Sequence, residues 1–425
     1  MKWTDKQQEA IELRSHNMLV SAAAGSGKTA VLVERIKRLI MQDGIPVDSL
    51  LVVTFTNASA GEMKDKIVKA VTGEIEKNPK ESHFLRRQLN SLYKANISTF
   101  HAFALTIIRR YFHVINMEPN FKVCDEAEAK ILQGEAVDKL LEGLFDSNER
   151  EFIDFLNCYA SGKNEDTIKK MILSTYSTLM SIPEPFDWLA ENVNNLAMDE
   201  TQFYDSHMFN FLKKDVEEGL KRATFCYETV FQLLVDCGAM LLAEKSSREL
   251  HAIGELQDAL GDENFPLLIE KINHMPSERY VATKAEEENY EGIKETVKFL
   301  RNKGADSIKK IKKLYFAMPL SDCLEDIRNT SAHANYLMHM VVTFHQLYKE
   351  SKAEKKLVDF SDIEHMALEI LKDEQVAAEY RDKFSYIFID EYQDSNLIQD
   401  TLICRIKRDD NLFMVGDVKQ SIYKF

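Results

Sequence analysis

The stretch Met18-Leu19-Val20-Ser21-Ala22-Ala23-Ala24-Gly25-Ser26-Gly27-Lys28-Thr29 constrains this chain more than any other. Its apolar start, Met18 to Val20, reads as a buried strand. Small residues and glycine follow, and Ala30 to Ile36 then has helical character. Strand, small-residue loop and helix in that order are the setting of a phosphate-binding loop. Small side chains let backbone N–H groups curl round phosphate oxygens, and a helix N-terminus adds partial positive charge. Ala22, Ala23, Ala24, Gly25, Ser26 and Gly27 would form the cradle. Lys28 is placed to reach the β- and γ-phosphates, and Thr29 to set its hydroxyl on Mg²⁺. The full pattern has glycine where this chain has Ala22, a departure of a single methyl group. A glycine-containing turn before an unrelated helix is the competing reading of this stretch alone.

A second element points to the same chemistry. Phe384-Ser385-Tyr386-Ile387-Phe388-Ile389 reads as a buried strand ending in the paired acids Asp390 and Glu391. Beside a phosphate loop that is a Walker B pattern: Asp390 for the Mg²⁺ shell, Glu391 to polarise the water that attacks the γ-phosphate. Acids that merely face solvent at a strand end are the plainer alternative. Gln393 and Asp394 extend the cluster. The last strand, Leu412 to Gly416, leads to Asp417, to Gln420 with an amide able to sense a γ-phosphate, and to Tyr423 and Phe425, alternating aromatics suited to stacking.

Three further segments carry polar residues at strand or helix ends. Thr4 is placed as a helix N-cap with Gln7 three residues on, the spacing of a capping box. The Gln7 amide could also pair with the edge of adenine. Leu50 to Asn57 reads as an apolar strand running into a helix, which sets Thr54, Thr56 and Asn57 at the edge where an open parallel sheet binds ligands. Phe55 belongs either to the core or to a flat stacking surface. Ile97 to Phe103 repeats the plan with Thr99, Phe100 and His101. No nucleophile–base pair accompanies His101.

With 425 residues the chain is long enough for two or three domain-sized units. It has no apolar run of about 18 residues, so no membrane span is expected. The first residues lack a signal-peptide core, and the six cysteines form no C-x-x-C pair, so a cytoplasmic protein without a zinc site or disulfide framework is expected. The net charge of −15 argues against nucleic acid as a partner. The distribution reverses that locally: residues 1–120 carry 17 Lys and Arg against 12 Asp and Glu, and the remainder 37 against 57. Nucleic-acid binding stays open because the local field matters more than the total.

From 121 to 345 glycine and proline are sparse and apolar residues recur at helical spacing, as at Leu132, Val137, Leu140 and Leu141. A helical insertion of bundled hairpins is expected, with turns at 161–164, 182–185 and 275–277. The basic run from Lys309 to Lys313 reads as a solvated helix face or as a phosphate contact. His333, His339 and His345, six apart, do not share a helix face and form no metal set. The sheet is expected to resume at Leu357. The fold class is therefore α/β: a parallel sheet flanked by helices, in the P-loop NTPase manner, interrupted by an all-α segment. Its expected limits are 1–120 and 346–425 for the sheet domain and 121–345 for the insertion.

The order of these motifs resembles the first motor domain of superfamily 1A helicases, the UvrD/PcrA/Rep group. Thr4 and Gln7 resemble its Q motif, residues 22–29 motif I, and Thr54-Phe55-Thr56-Asn57-Ala58 motif Ia. Thr99-Phe100-His101 is similar to motif Ib, Asp359-Phe360-Ser361-Asp362 to the short element before motif II, residues 390–394 to motif II, and 416–423 to motif III. Within the group the likeness is to the AddA type, the helicase–nuclease subunits of bacterial AddAB, through 21–36, 416–423 and 181–189. The resemblance implies a RecA-like motor domain 1A with a 1B-like insertion, using ATP and Mg²⁺ for 3′→5′ movement along single-stranded DNA in double-strand break repair, with single-stranded and double-stranded DNA as partners. It implies a heterodimer with an AddB-type subunit for the full-length protein. Lys28, Glu391 and Gln420 would be catalytic, and Thr29 and Asp390 would hold the metal. Gln7 and the 22–29 loop would bind ATP. Phe55, Tyr423 and Phe425 would stack on bases, while Thr54, Asn57, Thr99 and His101 would contact the strand.

The stretch stops two residues after Tyr423, so motifs IV to VI, the second motor domain and a nuclease domain would lie beyond it. An arginine finger contributes about 10³ or more in rate, so this chain alone is expected to hydrolyse ATP poorly and not to unwind DNA. A UvrD/PcrA-type monomeric repair helicase is the alternative within the class, and a non-motor ATP-binding DNA scaffold the alternative outside it. Intact Lys28, Thr29, Asp390, Glu391 and Gln420 weigh against the scaffold. A metabolic kinase leaves the helical segment unexplained.

Overall fold

The computed structural model describes residues 3–23, 25–77, 83–160 and 165–417. Ala24, Gln420, Tyr423, Phe425 and the turn expected at 161–164 lie outside the described residues. Seven strands are present among them: β1 (Met18–Ser21), β2 (Leu50–Thr54), β3 (Asn96–Thr99), β4 (Lys122–Val123), β5 (Leu357–Val358), β6 (Tyr386–Ile389) and β7 (Leu412–Gly416). Five of them form one sheet in the order β1-β7-β6-β2-β3, with every pair parallel. Parallel pairing puts all five carboxyl ends on one edge, the edge where open α/β sheets take ligands. The mixed α/β class expected from the sequence is the one observed.

Two expectations about strands need correction. Leu19 is 58% exposed, so β1 is not a buried strand. Among the described residues it lies at the sheet edge and is only partly buried, whereas β2, paired on both sides, is buried throughout. The main sheet also does not resume at Leu357. β5 pairs instead with β4, as Lys122↔Leu357 and Val123↔Val358, in a separate two-stranded sheet.

Helices cover both faces of the main sheet. The helices before residue 195 are α1 (Asp5–Glu12), α2 (Lys28–Met41), α3 (Asn57–Lys77), α4 (His83–Ser91), α5 (Phe100–Tyr111), α6 (Glu126–Ser147), α7 (Arg150–Tyr159), α8 (Asp166–Leu179) and α9 (Pro185–Asn194). Successive β2 side chains point to opposite faces. Val52 joins Phe388, Phe413 and Val415 under residues of α1, α2 and α3. Leu51 and Val53 join Ile387, Ile389 and Leu412 under Phe103 and Ile107 of α5 on the other face. Arg35 is 1% exposed between α1 and the sheet; its Nη1 donates to Ala10 O at 2.8 Å and its guanidinium lies 4.7 Å from the Phe413 ring. Burial pushes its pKa down to about 10. This contact ties the helix carrying Gln7 to the helix that begins at Lys28.

The chain divides into two compact units, residues 1–190 with 336–425, and residues 191–335. Residues 121–190, expected in the inserted segment, hold α6, α7, α8 and the start of α9 and group with the sheet unit. The second unit holds α10 (Glu200–Tyr204), α11 (His207–Asp236), α12 (Met240–Gly261), α13 (Phe265–Asn273), α14 (Glu287–Glu291) and α15 (Lys294–Tyr315). Val216, Leu220 and Ala223 of α11 pack with Ile253 and Leu256 of α12 and Ile308 and Ile311 of α15. Within it Glu249, 1% exposed, accepts from Glu278 N (2.9 Å), Tyr280 Oη (3.1 Å) and Arg301 Nε (3.2 Å). Lys309, Lys310, Lys312 and Lys313 lie on the exposed side of α15, opposite buried Ile308 and Ile311.

The long α16 (Leu320–Glu354) follows α15 in the chain, and α17 (Phe360–Ile370), α18 (Glu374–Lys383) and α19 (Leu397–Ile406) complete the sheet unit. Among the described residues no helix is long and apolar enough to cross a membrane.

Candidate functional site

The loop between β1 and α2 is built on two left-handed glycines, Gly25 (φ +75°) and Gly27 (φ +81°). Residues with a Cβ avoid this region, so glycine is what lets the chain turn tightly into α2. No side chain caps that helix, which leaves its first-turn N–H groups for something else to satisfy. Among the described residues, Ser26 Oγ is buried without a hydrogen-bond partner. Lys28, with its side chain 9% exposed, donates to Ala22 O at 2.9 Å and stands 3.9 Å from Asp417 Oδ2. Left-handed glycines, an uncapped helix start, an orphaned hydroxyl and a nearly buried ammonium together fit a polyanionic phosphate. Gln7 packs over this loop: its Nε2 donates to Ser26 O at 3.0 Å while its Oε1 accepts from Thr4 N at 2.9 Å. The capping box is present, and the same side chain braces the loop.

The paired acids sit at the carboxyl end of β6, beside this loop. Asp390 is 7% exposed, and burial, reinforced by the neighbouring Glu391 charge, pushes its pKa up to about 6. The Lys28 charge acts on Asp390 in the opposite sense, so the early lysine and the late acid share one electrostatic neighbourhood. Glu391 has a left-handed backbone (φ +56°), rare for a residue with a side chain and a mark of a shaped site. Gln393 organises the cluster: its Nε2 donates to Glu391 Oε2 at 2.7 Å and to Asp394 Oδ2 at 3.2 Å, and its Oε1 accepts from Asp417 N at 2.8 Å. A Cβ on Gly416 would come within 2.8 Å of Gln393 Oε1. Burial and the Glu391 charge also push the Asp394 carboxyl upward.

Beside this cluster a cavity of about 660 Å³ is lined by Leu19, Ser21, Gln393, Asn396, Gly416 and Asp417 among others. A larger cavity, about 740 Å³, lies elsewhere in the unit and contains none of the loop residues or the paired acids. Two lysines in its wall pair with neighbouring acids, Lys356 with Glu118 (2.9 Å) and Lys372 with Glu184 (2.7 Å). Chemistry rather than size marks the smaller one.

The residues expected to meet a strand lie at the ends of β2 and β3. Phe55 is 45% exposed just past β2, and Asn57 is exposed as the first residue of α3. Thr54 is 1% exposed and donates its hydroxyl to Thr56 O at 3.0 Å, so its side chain is turned inward. Thr99 caps α5, accepting from Ala102 N at 3.3 Å. His101, with its side chain 37% exposed, packs edge-on to Phe360 at 5.0 Å.

Two buried groups escape the sequence reading. Lys352, 3% exposed, is held by Asp359 (2.9 Å) and Asp362 (2.6 Å), and Tyr348 Oη donates to Asp359 at 2.8 Å. Asp359 and Asp362 also close a capping box on α17, which their spacing could have revealed. Glu364, 5% exposed, accepts from Gln399 Nε2 (2.6 Å) and Asn396 Nδ2 (3.0 Å) and lies 3.3 Å from His101 Nε2. Nothing in the sequence distinguishes it from a solvated helix acid.

The sequence profile of the UvrD/REP helicase N-terminal domain matches residues 3–425. The chain is 40% identical over 425 residues to an ATP-dependent helicase/nuclease subunit of the A type from Alkaliphilus oremlandii (strain OhILAs), a match covering 100% of this chain and 35% of that protein. It is 39% identical over 423 residues to the protein of the same name from Syntrophomonas wolfei subsp. wolfei, covering 100% of this chain and 34% of the relative. The corresponding Clostridioides difficile (strain 630) protein is 36% identical over 454 residues, with 100% and 35% covered. The chain thus spans about a third of the length of the curated relatives it matches.

Proposed function

The chain belongs to the UvrD/REP helicase N-terminal domain family, and from that premise we propose that it is the ATP-binding first motor domain of an AddA-type DNA helicase–nuclease. The observation that carries this reading is the meeting of Lys28, Asp390 and Asp417 at the carboxyl edge of one parallel sheet. In this reading the sheet is a RecA-like P-loop domain contributed by 1–120 and 346–425, and 121–345 is its 1B-like helical insertion. The whole protein moves 3′→5′ along DNA, in the cytoplasm, with an AddB-type partner in double-strand break processing.

Bound ATP with Mg²⁺ supplies the scissile phosphoryl group and the metal's charge. The chain supplies the rest. Lys28 and the first-turn N–H groups of α2 hold negative charge, which a low-dielectric setting makes stronger than it would be in water. The Thr29 hydroxyl and the Asp390 carboxylate would hold the metal, whose charge would stabilise the phosphoryl oxygens. Glu391 accepts a proton from water, and Gln393 fixes the direction of its carboxylate. Gln7 braces the loop and meets the base, while Gln420 reports the nucleotide state. Phe55 offers an exposed ring for a base to stack on, with Asn57, Thr99 and His101 as further strand contacts; Thr54, turned inward, contributes through its backbone. The roles of Tyr423 and Phe425 as stacking aromatics rest on the motif alone.

The test is hydrolysis of ATP by the full-length protein with and without single-stranded DNA, alongside strand-displacement assays on duplexes with 3′ or 5′ tails. Stimulated hydrolysis and unwinding from a 3′ tail are expected. Absence of nucleotide binding, or binding unaffected by Lys28→Ala, would overturn the reading.

A further inference from the structure

We infer that Glu364 is a positioning residue that links the strand-contacting end of β3 to the acid cluster after β6. The inference rests on the motor reading above, since it needs both a strand and a nucleotide to couple. Glu364 lies in the second turn of α17, on neither of the strands it would connect. Its carboxylate is almost wholly buried; two amides donate to it and the His101 ring lies against it. His101 Nε2 approaches Oε1 from the first turn of α5, its ring held edge-on by Phe360. Gln399 donates to the same oxygen at 2.6 Å and Asn396 to Oε2 at 3.0 Å, both from the start of α19.

Asn396 also caps α19, accepting from Gln399 N at 2.8 Å, so the carboxylate and the helix cap form one unit. The path from that cap to Glu391 is short and internally bonded. Ser395 donates through both N (3.1 Å) and Oγ (2.6 Å) to Tyr392 O, and Asp394 N donates to Glu391 O at 3.0 Å. Gln393 in this turn holds the Glu391 carboxylate. A strand pressing on the exposed side of His101 therefore pushes on Glu364, and through Asn396 on the turn that aims Glu391. A buried carboxylate is suited to this, because leaving any of its donors unpaired is costly and displacements are shared.

The experiment uses the full-length protein carrying Glu364→Gln, which keeps the shape but replaces one carboxylate oxygen with an N–H₂ group among the two amide donors and the His101 ring. Stimulation of ATP hydrolysis by single-stranded DNA is expected to fall about tenfold, within the range of coupling between sites. The unstimulated kcat, the KM for ATP, the half-saturating DNA concentration and the thermal midpoint should stay within about twofold or a few degrees of wild type. Asn396→Ser keeps a cap for α19 while removing the Nδ2 donor, and should lose part of the stimulation even if Glu364→Gln folds poorly. Stimulation unchanged in both folded variants overturns the inference and leaves the motor reading standing. A fall of stimulated and unstimulated rates together with the thermal midpoint also overturns it, as a purely structural role. Wild-type protein without DNA-stimulated hydrolysis removes the motor reading and the inference with it.

Discussion

Lys28 Nζ stands 3.9 Å from Asp417 Oδ2, with both side chains less than a tenth exposed. One residue opens the first helix after the glycine loop and the other follows the last described strand. Their meeting requires β1 and β7 to be neighbours, which they are, in the register Ser21↔Gly416.

Lys28→Ala removes the loop's ammonium. The loss of a charge-assisted contact is worth about 1.5–3 kcal/mol, so ATP affinity measured by calorimetry on the full-length protein should fall at least about tenfold. Unchanged affinity would show that the loop holds no phosphate.

Asp390→Asn should reveal the strain of a buried carboxylate. The folded chain keeps this proton up to about pH 6, whereas an unfolded carboxyl releases it near 3.8. Between those values the folded state binds more protons, so its stability declines as pH rises through the window. About two units correspond to roughly 3 kcal/mol. In urea titrations the Asn variant should exceed wild type at pH 7.5 and lose that advantage at pH 4. An Asn variant weaker than wild type at pH 7.5 would contradict the sign.

Gly416→Ala places a methyl group 2.8 Å from Gln393 Oε1 and 3.3 Å from Gln393 N. The amide end can swing away, so the stability cost should be modest, about 1 kcal/mol. Turnover should suffer more, because Gln393 would release Glu391. Denaturation and steady-state ATPase on the same variant separate the two effects.

Phe55→Ala removes an exposed ring rather than a core residue. Affinity for an unstructured oligonucleotide should fall by about 1–3 kcal/mol, read by fluorescence anisotropy, with the thermal midpoint unmoved. A drop in the midpoint instead would assign Phe55 to packing.

Arg301→Leu leaves Glu249 buried with its cationic partner gone. Breaking one side of a buried pair costs about 3–5 kcal/mol, and the loss should appear in the unfolding of the helical unit, followed by hydrogen exchange in α12 and α15. Exchange as slow as in wild type would show that Tyr280 and the Glu278 N–H suffice to hold the carboxylate.

What is legible in the sequence is local. The capping box of Thr4 and Gln7, the glycine turn into Lys28 and the apolar run before Asp390 each depend on residues a few positions apart, and each element forms where its pattern ends. Pairing is not legible, because register and neighbour choice are decided by distant chain. That is why the apolar run at Met18 reads as buried although β1 is an edge, and why Leu357–Val358 reads as part of the main sheet although Lys122–Val123 takes it. Glu364 escapes for a related reason: an acid on an amphipathic helix looks solvated until α5 and α19 close over it.

The edge position of β1 has a bearing on how the protein is made. Among the described residues its only strand partner is β7, nearly four hundred residues downstream. Contacts this remote in sequence form late, and during synthesis the ribosome delivers the N-terminal segment long before its partner. The glycine loop should therefore remain unable to grip a nucleotide until the second half of the sheet has emerged. Competence for ATP would then report that the intervening helical segment has been synthesised.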